Sequence, residues 1–342
     1  MNLLWLLPII SGVSWLLTGT LRRYALVRSI IDIPNERSSH TVPTPRGGGV
    51  AIVIVSLLSV TVLWLFSIIH TPLAVSLLGA GAGLALLGFL DDHEHIAARW
   101  RLLGHFAGAS WVLFWLGGMP PFTVLGWKFD LGGFGYIIGA FYLVWLLNLY
   151  NFMDGIDGIA SVEAICVCAG GALLVLVSQG AASTAWVVPI ILAAAVSGFL
   201  LWNFPPAKIF MGDAGSGFLG IMLGALSLEA GWLEAQWLWS WLILLGVFFV
   251  DATYTLFRRL LRSEKVYQAH RSHAYQYASR HYRSHFVVTL AVFLINIFWL
   301  IPNALVVGLG YIDGVLGLVL AYIPLVVLAT KFRAGELEYK AK

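Results

Sequence analysis

Residues 72–92 read PLAVSLLGAGAGLALLGFLDD, nineteen residues without a charge that run into Asp91 and Asp92. A helix of that length covers about 30 Å, the thickness of a bilayer's hydrocarbon core. The paired carboxylates then mark where the chain returns to water. Working outward, uncharged or nearly uncharged stretches recur at 3–20, 47–69, 102–118, 135–150, 159–178, 184–202, 214–230, 237–257, 286–304 and 314–330. Of the 342 residues, 60% are hydrophobic and 11% charged, and the mean hydropathy is +0.87, so no polar block remains to build a water-soluble core. A cytosolic globular enzyme is excluded. The pattern predicts an all-α polytopic bundle with eleven transmembrane helices, forming one integral membrane domain over residues 1–342.

The charges give the orientation. With the N-terminus outside, nineteen of the twenty Lys and Arg residues fall on inner loops or the C-terminal tail, and only Lys128 lies on the other side. Basic residues beside spans stay in the cytoplasm, so the C-terminus is expected there too. The first span lacks a basic leader and a cleavage site and is followed by Arg22 and Arg23, so it reads as a retained anchor. Cys166 and Cys168 stand two apart within one span, on different helix faces, and read as small apolar fillers. The Gly/Pro-rich outer stretch 117–135 has the composition of a hairpin or interfacial segment.

Six carboxylates, Asp91, Asp92, Asp154, Asp157, Asp213 and Asp251, are expected at the inner ends of spans. A carboxylate near the bilayer centre costs about 2.5 to 3.5 kcal/mol on insertion scales and is usually kept for function. Five inner segments carry them or lie beside them. In the first, Asp32 to His40 leads through Pro43, Thr44, Pro45 and Arg46 into three glycines, where an Arg next to approachable backbone N–H groups suits a phosphate. In the second, the adjacent Asp91 and Asp92 repel each other unless water or a divalent cation lies between them. His93, Glu94 and His95 follow without a zinc-type spacing and read as solvated. In the third, Asn148, Asn151, Asp154 and Asp157 recur every three residues; if helical, the last three would share an arc of roughly 120° as one polar stripe. In the fourth, Asn203 to Gly217, prolines hold a loop open ahead of a helix that starts near Asp213, bringing Phe210, Gly212 and free N–H groups together. In the fifth, His270, Arg271 and His273 can bond diphosphate oxygens and move protons.

In this order the five segments resemble the polyprenyl-phosphate N-acetylhexosamine-1-phosphate transferases, which start O-antigen, teichoic acid and peptidoglycan lipid intermediates. The likeness covers about residues 1–330, and NFMDGIDGIA (151–160) and FMGDAGSGFLG (210–220) are its most specific strings. It implies transfer of a sugar 1-phosphate from a UDP-N-acetylhexosamine to undecaprenyl phosphate with release of UMP, at a Mg²⁺ site (Mn²⁺ as substitute) on the cytoplasmic face of the bacterial inner membrane. It further implies Asp213 as leading metal ligand with Asp92 beside it, and Asp91, Asp92, His270 and His273 as catalytic groups. Arg46, Asn148, Asn151, Asp154, Asp157, Asn203, Phe210, Gly212 and Arg271 then bind substrate, with Phe210 stacking on uracil. The sequence His-Arg-Ser-His is similar to that of the O-antigen branch, using GlcNAc-, FucNAc- or QuiNAc-type donors, and departs from the three consecutive histidines of the peptidoglycan branch. No lysine follows Asp91 and Asp92 as in relatives, which leaves Arg99 or Arg101 for the phosphates. The partners implied are the bilayer, both substrates and a second copy in a homodimer, with no nucleic acid. The competing class is a transporter for nucleotide-sugars or polyprenyl-linked sugars, which would place its site near the midplane between internal repeats; a non-catalytic scaffold would leave the carboxylates unexplained.

Overall fold

The computed structural model describes residues 5–34, 39–94, 96–264 and 270–336. Asn35, Glu36, Arg37 and Ser38 of the first inner segment, His95 of the second, and Gln268 and Ala269 of the fifth lie outside the described residues. The fold is a helical bundle of α1 (Leu6–Val27), α2 (Gly49–Leu65), α3 (Thr71–His93), α4 (Ala98–Leu116), α5 (Phe134–Met153), α6 (Ile159–Gln179), α7 (Val187–Asn203), α8 (Asp213–Leu233), α9 (Ala235–Leu244), α10 (Gly246–Leu261), α11 (Ala274–Tyr282), α12 (His285–Ile295), α13 (Ile301–Gly308) and α14 (Gly314–Lys331). A π-helical turn, Asn296–Leu300, joins α12 to α13, so that His285–Gly308 acts as one span. Among the described residues six helices are long and apolar enough to cross a membrane alone, and α9 with α10 makes a seventh, bent by 71°. Helices α2 and α7 are apolar but shorter, at 17 residues each.

Helix α8 is the hub. It packs along α3 and α5 and touches α2, α4, α6 and α9, and most of its side chains are buried. Crossing helices approach this closely only where side chains are small. At the α2–α8 contact a Cβ on Gly49 would lie 2.5 Å from the Gly215 Cα and 2.8 Å from the Met211 carbonyl. Deep in the bundle Asn296, at the π-helical turn, donates to Glu163 of α6 at 2.7 Å, and both are fully buried. Of the hairpin and the interfacial segment that the composition of 117–135 allowed, the structure has the hairpin, β3 (Phe122–Val124) against β4 (Trp127–Phe129), turning at Leu125 and Gly126, both with positive φ. Cys166 and Cys168 are buried free thiols. A short antiparallel pair, β1 (Ile31–Asp32) with β2 (Thr44–Pro45), closes the base of the first inner segment.

The polar stripe is corrected by the fold. Helix α5 ends at Met153, so Asn148 and Asn151 are helical, whereas Asp154 and Asp157 lie in the link to α6. Gly158, with φ of 76°, turns the chain into α6. Helical spacing therefore does not relate the two carboxylates to the two amides.

The glycine contact gives a paired test. Gly49→Ala should destabilise the bundle by about 1 to 3 kcal/mol through overpacking. Gly12→Ala, where a Cβ meets nothing within 4 Å, should be neutral or stabilising. Denaturant titration in mixed micelles measures both.

Candidate active site

The ends of α3 and α5, the start of α8 and the segments before α2, α6 and α8 surround a cavity of about 230 Å³. Its anionic wall is Asp32, Asp92, Asp154, Asp157 and Asp213, and Arg46 faces them. Asp92 and Asp213 are joined through backbone. The Asp92 Oδ2 accepts the N–H of Asp213 at 3.0 Å and of Ala214 at 3.5 Å, so an acid from α3 takes up donors at the start of α8 that have no partner within that helix. The approach requires Gly88, where a Cβ would lie 2.5 Å from the Asp213 carbonyl. Arg46 donates to the backbone carbonyl of Asp92, and its guanidinium lies 3.9 Å from Oδ1. The same segment is stitched to the Phe210 loop, with Phe210 N–H donating to the Pro45 carbonyl and Gly48 N–H to the Phe210 carbonyl, at 2.8 and 2.9 Å.

Asp91 and Asp92 are neighbours in sequence but face different partners, because successive helical residues diverge by about 100°. Asp91 does not line the cavity. Its oxygens take the Arg101 guanidinium at 2.5 Å and the Ile96 N–H at 2.9 Å, and Arg101 also reaches Asp213 at 3.8 Å. Of the two arginines left open by the missing lysine, Arg101 is the one joined to the carboxylates, while Arg99 lies over the Trp100 ring.

Asn151 donates to Asp213 Oδ1 at 2.8 Å and orients that carboxylate. Asp157 has both oxygens engaged: His285 lies 3.1 Å from Oδ1, and Ala207 N–H donates to Oδ2 at 3.0 Å. Asn203 is a buried brace that accepts from Gly158 N–H and donates to the Ile209 carbonyl, each at 3.0 Å. The Asp154 side chain, like that of Asp32, makes no hydrogen bond or ion pair among the described residues. Burial, together with Asp213, Asp92 and Asp157, pushes its carboxyl well above the usual range.

That crowding is the physical case for a cation, which would reverse the repulsion. Among the described residues no three His, Cys, Asp or Glu side chains gather into a complete ligand cage. A Mg²⁺ ion would need only one or two carboxylates, with water and phosphate oxygens completing its shell. Asp213 and Asp154 are the acids suited to it, since Asp92 and Asp157 are largely committed to protein donors.

Of the fifth segment Gln276 lines the cavity, whereas His270, Arg271 and His273 form the neighbouring wall. His273 is buried against Asp251 at 3.3 Å, and Asp251 also accepts the Ala274 and Tyr275 N–H groups, both at 2.9 Å, and the Thr255 hydroxyl at 3.1 Å. Asp251 thus caps α11 and does not converge with the other five acids. His270 stacks on His273 with ring centroids 4.9 Å apart, and the Arg271 carbonyl accepts from Arg280 at 3.1 Å. Asn148 is turned to the Val144 carbonyl at 2.7 Å, outside the cavity. Tyr275 carries the influence of this wall inward, donating to the Phe152 carbonyl at 2.9 Å, and its hydroxyl occupies the place that a Cβ on Gly155 would take.

Sequence reasoning did not single out Asp32, His40, Ser216, Gln276 or His285, all of which line the cavity. Asp32, His40 and Ser216 stood inside the first and fourth segments and Gln276 just past the His270–His273 cluster, whereas His285 carried no signal beyond a lone imidazole at the start of an apolar run.

These features define an integral membrane protein with a carboxylate-rich pocket at one end of its helices. The chain belongs to glycosyl transferase family 4, whose profile matches residues 74–231, from α3 through α8. It is 31% identical over 295 residues to the "Probable undecaprenyl-phosphate N-acetylglucosaminyl 1-phosphate transferase" of Bacillus subtilis, covering 82% of this chain and 78% of that one. It is 33% identical over 238 residues to the decaprenyl-phosphate N-acetylglucosaminephosphotransferase of Mycolicibacterium smegmatis, covering 64% and 57%. It is 36% identical over 201 residues to the phospho-N-acetylmuramoyl-pentapeptide-transferase of Moorella thermoacetica, covering 54% and 61%.

Asp251→Ala should cost about 3 kcal/mol, because it leaves the buried His273 and the α11 N–H groups without an acceptor. Denaturant titration in mixed micelles checks this.

Proposed function

We propose that the protein transfers an N-acetylhexosamine 1-phosphate from a UDP-sugar to undecaprenyl phosphate and releases UMP, as the first membrane step of an O-antigen-type or related envelope polysaccharide. The observation that carries this reading is the convergence of Asp92, Asp154, Asp157, Asp213, Arg46 and Phe210 on one cavity. Family membership and the carrier-phosphate transferases among its relatives support it. On the same reading α1, α2, α4 and α7 also cross the membrane. The chain then makes eleven crossings with the N-terminus outside, and the cavity faces the cytoplasm of the bacterial inner membrane, the side to which the basic loops belong.

The reaction joins an acceptor phosphate oxygen to the sugar-bearing phosphorus and breaks that phosphorus's bond to the UMP oxygen. Both substrates are anions, so the obstacles are repulsion and alignment. A phosphomonoester has its second pKa near ~6, so the acceptor is already largely ionised at neutral pH and needs little general-base help. Asp91 and Asp92 accordingly serve to hold Arg101 and the start of α8 in place. Arg46 and Arg101 supply countercharge, Asn151 orients Asp213, and Phe210 offers an aromatic face to the base. Asp213, with Asp154 beside it, would hold a Mg²⁺ ion, which when bound would neutralise charge on the diphosphate. A transporter site would lie near the midplane on broken helices, whereas this cavity lies where α3 and α5 end and α8 begins.

Purified protein in detergent with undecaprenyl phosphate, Mg²⁺ and a panel of UDP-N-acetylhexosamines should release UMP with at least one donor. Asp213→Asn should abolish turnover while the protein keeps its melting temperature. Wild-type-like turnover in that variant, or in exhaustively chelated enzyme, contradicts the assignment.

A further inference from the structure

Gln276, in the first turn of α11, holds a hydrogen-bond donor on the carboxylate-lined cavity. Its side-chain oxygen accepts the His273 N–H at 3.2 Å, the reciprocal bond of a capping box. A carboxamide can turn over only by exchanging its oxygen for NH₂, and an NH₂ group cannot accept from an N–H. The cap therefore fixes which way the amide faces, and Nε2 is turned away from it. A Cβ on Gly155 would lie 3.2 Å from that nitrogen, so the NH₂ group stands against the link between α5 and α6 where the chain leaves Asp154. Nε2 makes no hydrogen bond among the described residues, yet it is not enclosed and keeps accessible surface on the cavity.

The turn that carries this amide is held firmly. Tyr275, one residue earlier, donates to the Phe152 carbonyl at 2.9 Å, and Asp251 accepts the N–H groups of Ala274 and Tyr275. The amide also has a definite side. Phe210, Asp157 and His285 belong to a wall that the cavity shares with a larger one of about 620 Å³, whereas Gln276, Asn151, Asp154 and Asp213 line only the carboxylate-rich cavity. Nε2 therefore stands with the acids suited to a metal and away from the wall that carries the aromatic face.

The inference rests on the reading of the cavity as a UDP-N-acetylhexosamine site. On that reading the phosphorus that bears the sugar meets the metal side, and the sugar comes with it. Arg46 and Arg101 answer the phosphates by charge, and Phe210 answers the base. The acetamido carbonyl of the hexosamine is a neutral acceptor, and a neutral NH₂ group already oriented by the fold matches it at little ordering cost. We propose that Gln276 is a specificity-determining residue that donates from Nε2 to the acetamido carbonyl of the donor sugar.

The test uses the full-length chain in detergent and the displacement of radiolabelled UMP by UMP, by UDP-N-acetylglucosamine and by UDP-glucose, which lacks the acetyl carbonyl. The wild type should prefer UDP-N-acetylglucosamine to UDP-glucose, because the latter leaves Nε2 unpaired. Gln276→Met removes the donor and should weaken UDP-N-acetylglucosamine about five- to tenfold, with UMP and UDP-glucose unchanged. Gln276→Glu keeps an oxygen for the His273 N–H and offers no N–H of its own. It should also lose the preference between the two sugars, since its added charge acts on both alike, and it decides by that ratio should Gln276→Met fail to fold. An equal loss for all three ligands in Gln276→Met, a wild-type preference retained in either variant, or a wild type without preference overturns the proposal. A wild type that binds no UMP and releases none from any UDP-sugar removes the donor assignment itself, and the role of Gln276 with it.

Discussion

Asp92 on α3 accepts the first backbone N–H groups of α8, and the placement of Asp213 with its partners Asn151 and Arg101 depends on that contact. It draws α3 and α8 together until Gly88 meets the Asp213 backbone, and it points the start of α8, with its partial positive charge, into the pocket. Asp213 is thereby placed where Asn151 of α5 can orient it and Arg101 of α4 can approach it. Four helices are fixed relative to one another by one carboxylate and the groups it organises.

The cost of the arrangement is electrostatic. Carboxylates gathered at the ends of apolar helices repel, and the protein offsets this unevenly. Asp91 has Arg101, Asp92 has Arg46 and two backbone donors, and Asp157 has His285 and Ala207. Asp154 has none of these. The unbalanced part of the cluster lies around Asp154 and Asp213, which is where countercharge from a bound cation would count most. Negative charge is offset wherever the fold must be rigid, and it is left bare where anionic substrates and their counterion are expected to meet.

Much of this was legible in the sequence. Uncharged runs located the helices, the Pro-rich string ahead of Asp213 located the start of α8, and the composition of 117–135 narrowed that stretch to a hairpin or an interfacial segment. Three features were not. Asp154 and Asp157 looked helical because three-residue spacing suits a helix, but the Gly residues that follow them end α5 and turn the chain, so their convergence comes from a loop. Asp251 looked like a sixth site acid because it lies near a span end, but its partners are the N–H groups of a helix more than twenty residues away. His285 and His40 gave little signal because their significance depends on the wall they share with Phe210, and tertiary neighbours of that kind leave no periodicity.

The most direct test of the account is Mn²⁺ binding measured by electron paramagnetic resonance in the purified wild type, Asp213→Asn and Asp154→Asn. The account predicts one site that Mg²⁺ displaces, lost in Asp213→Asn and weakened in Asp154→Asn. Full-affinity Mn²⁺ binding in a protein carrying both substitutions would contradict it.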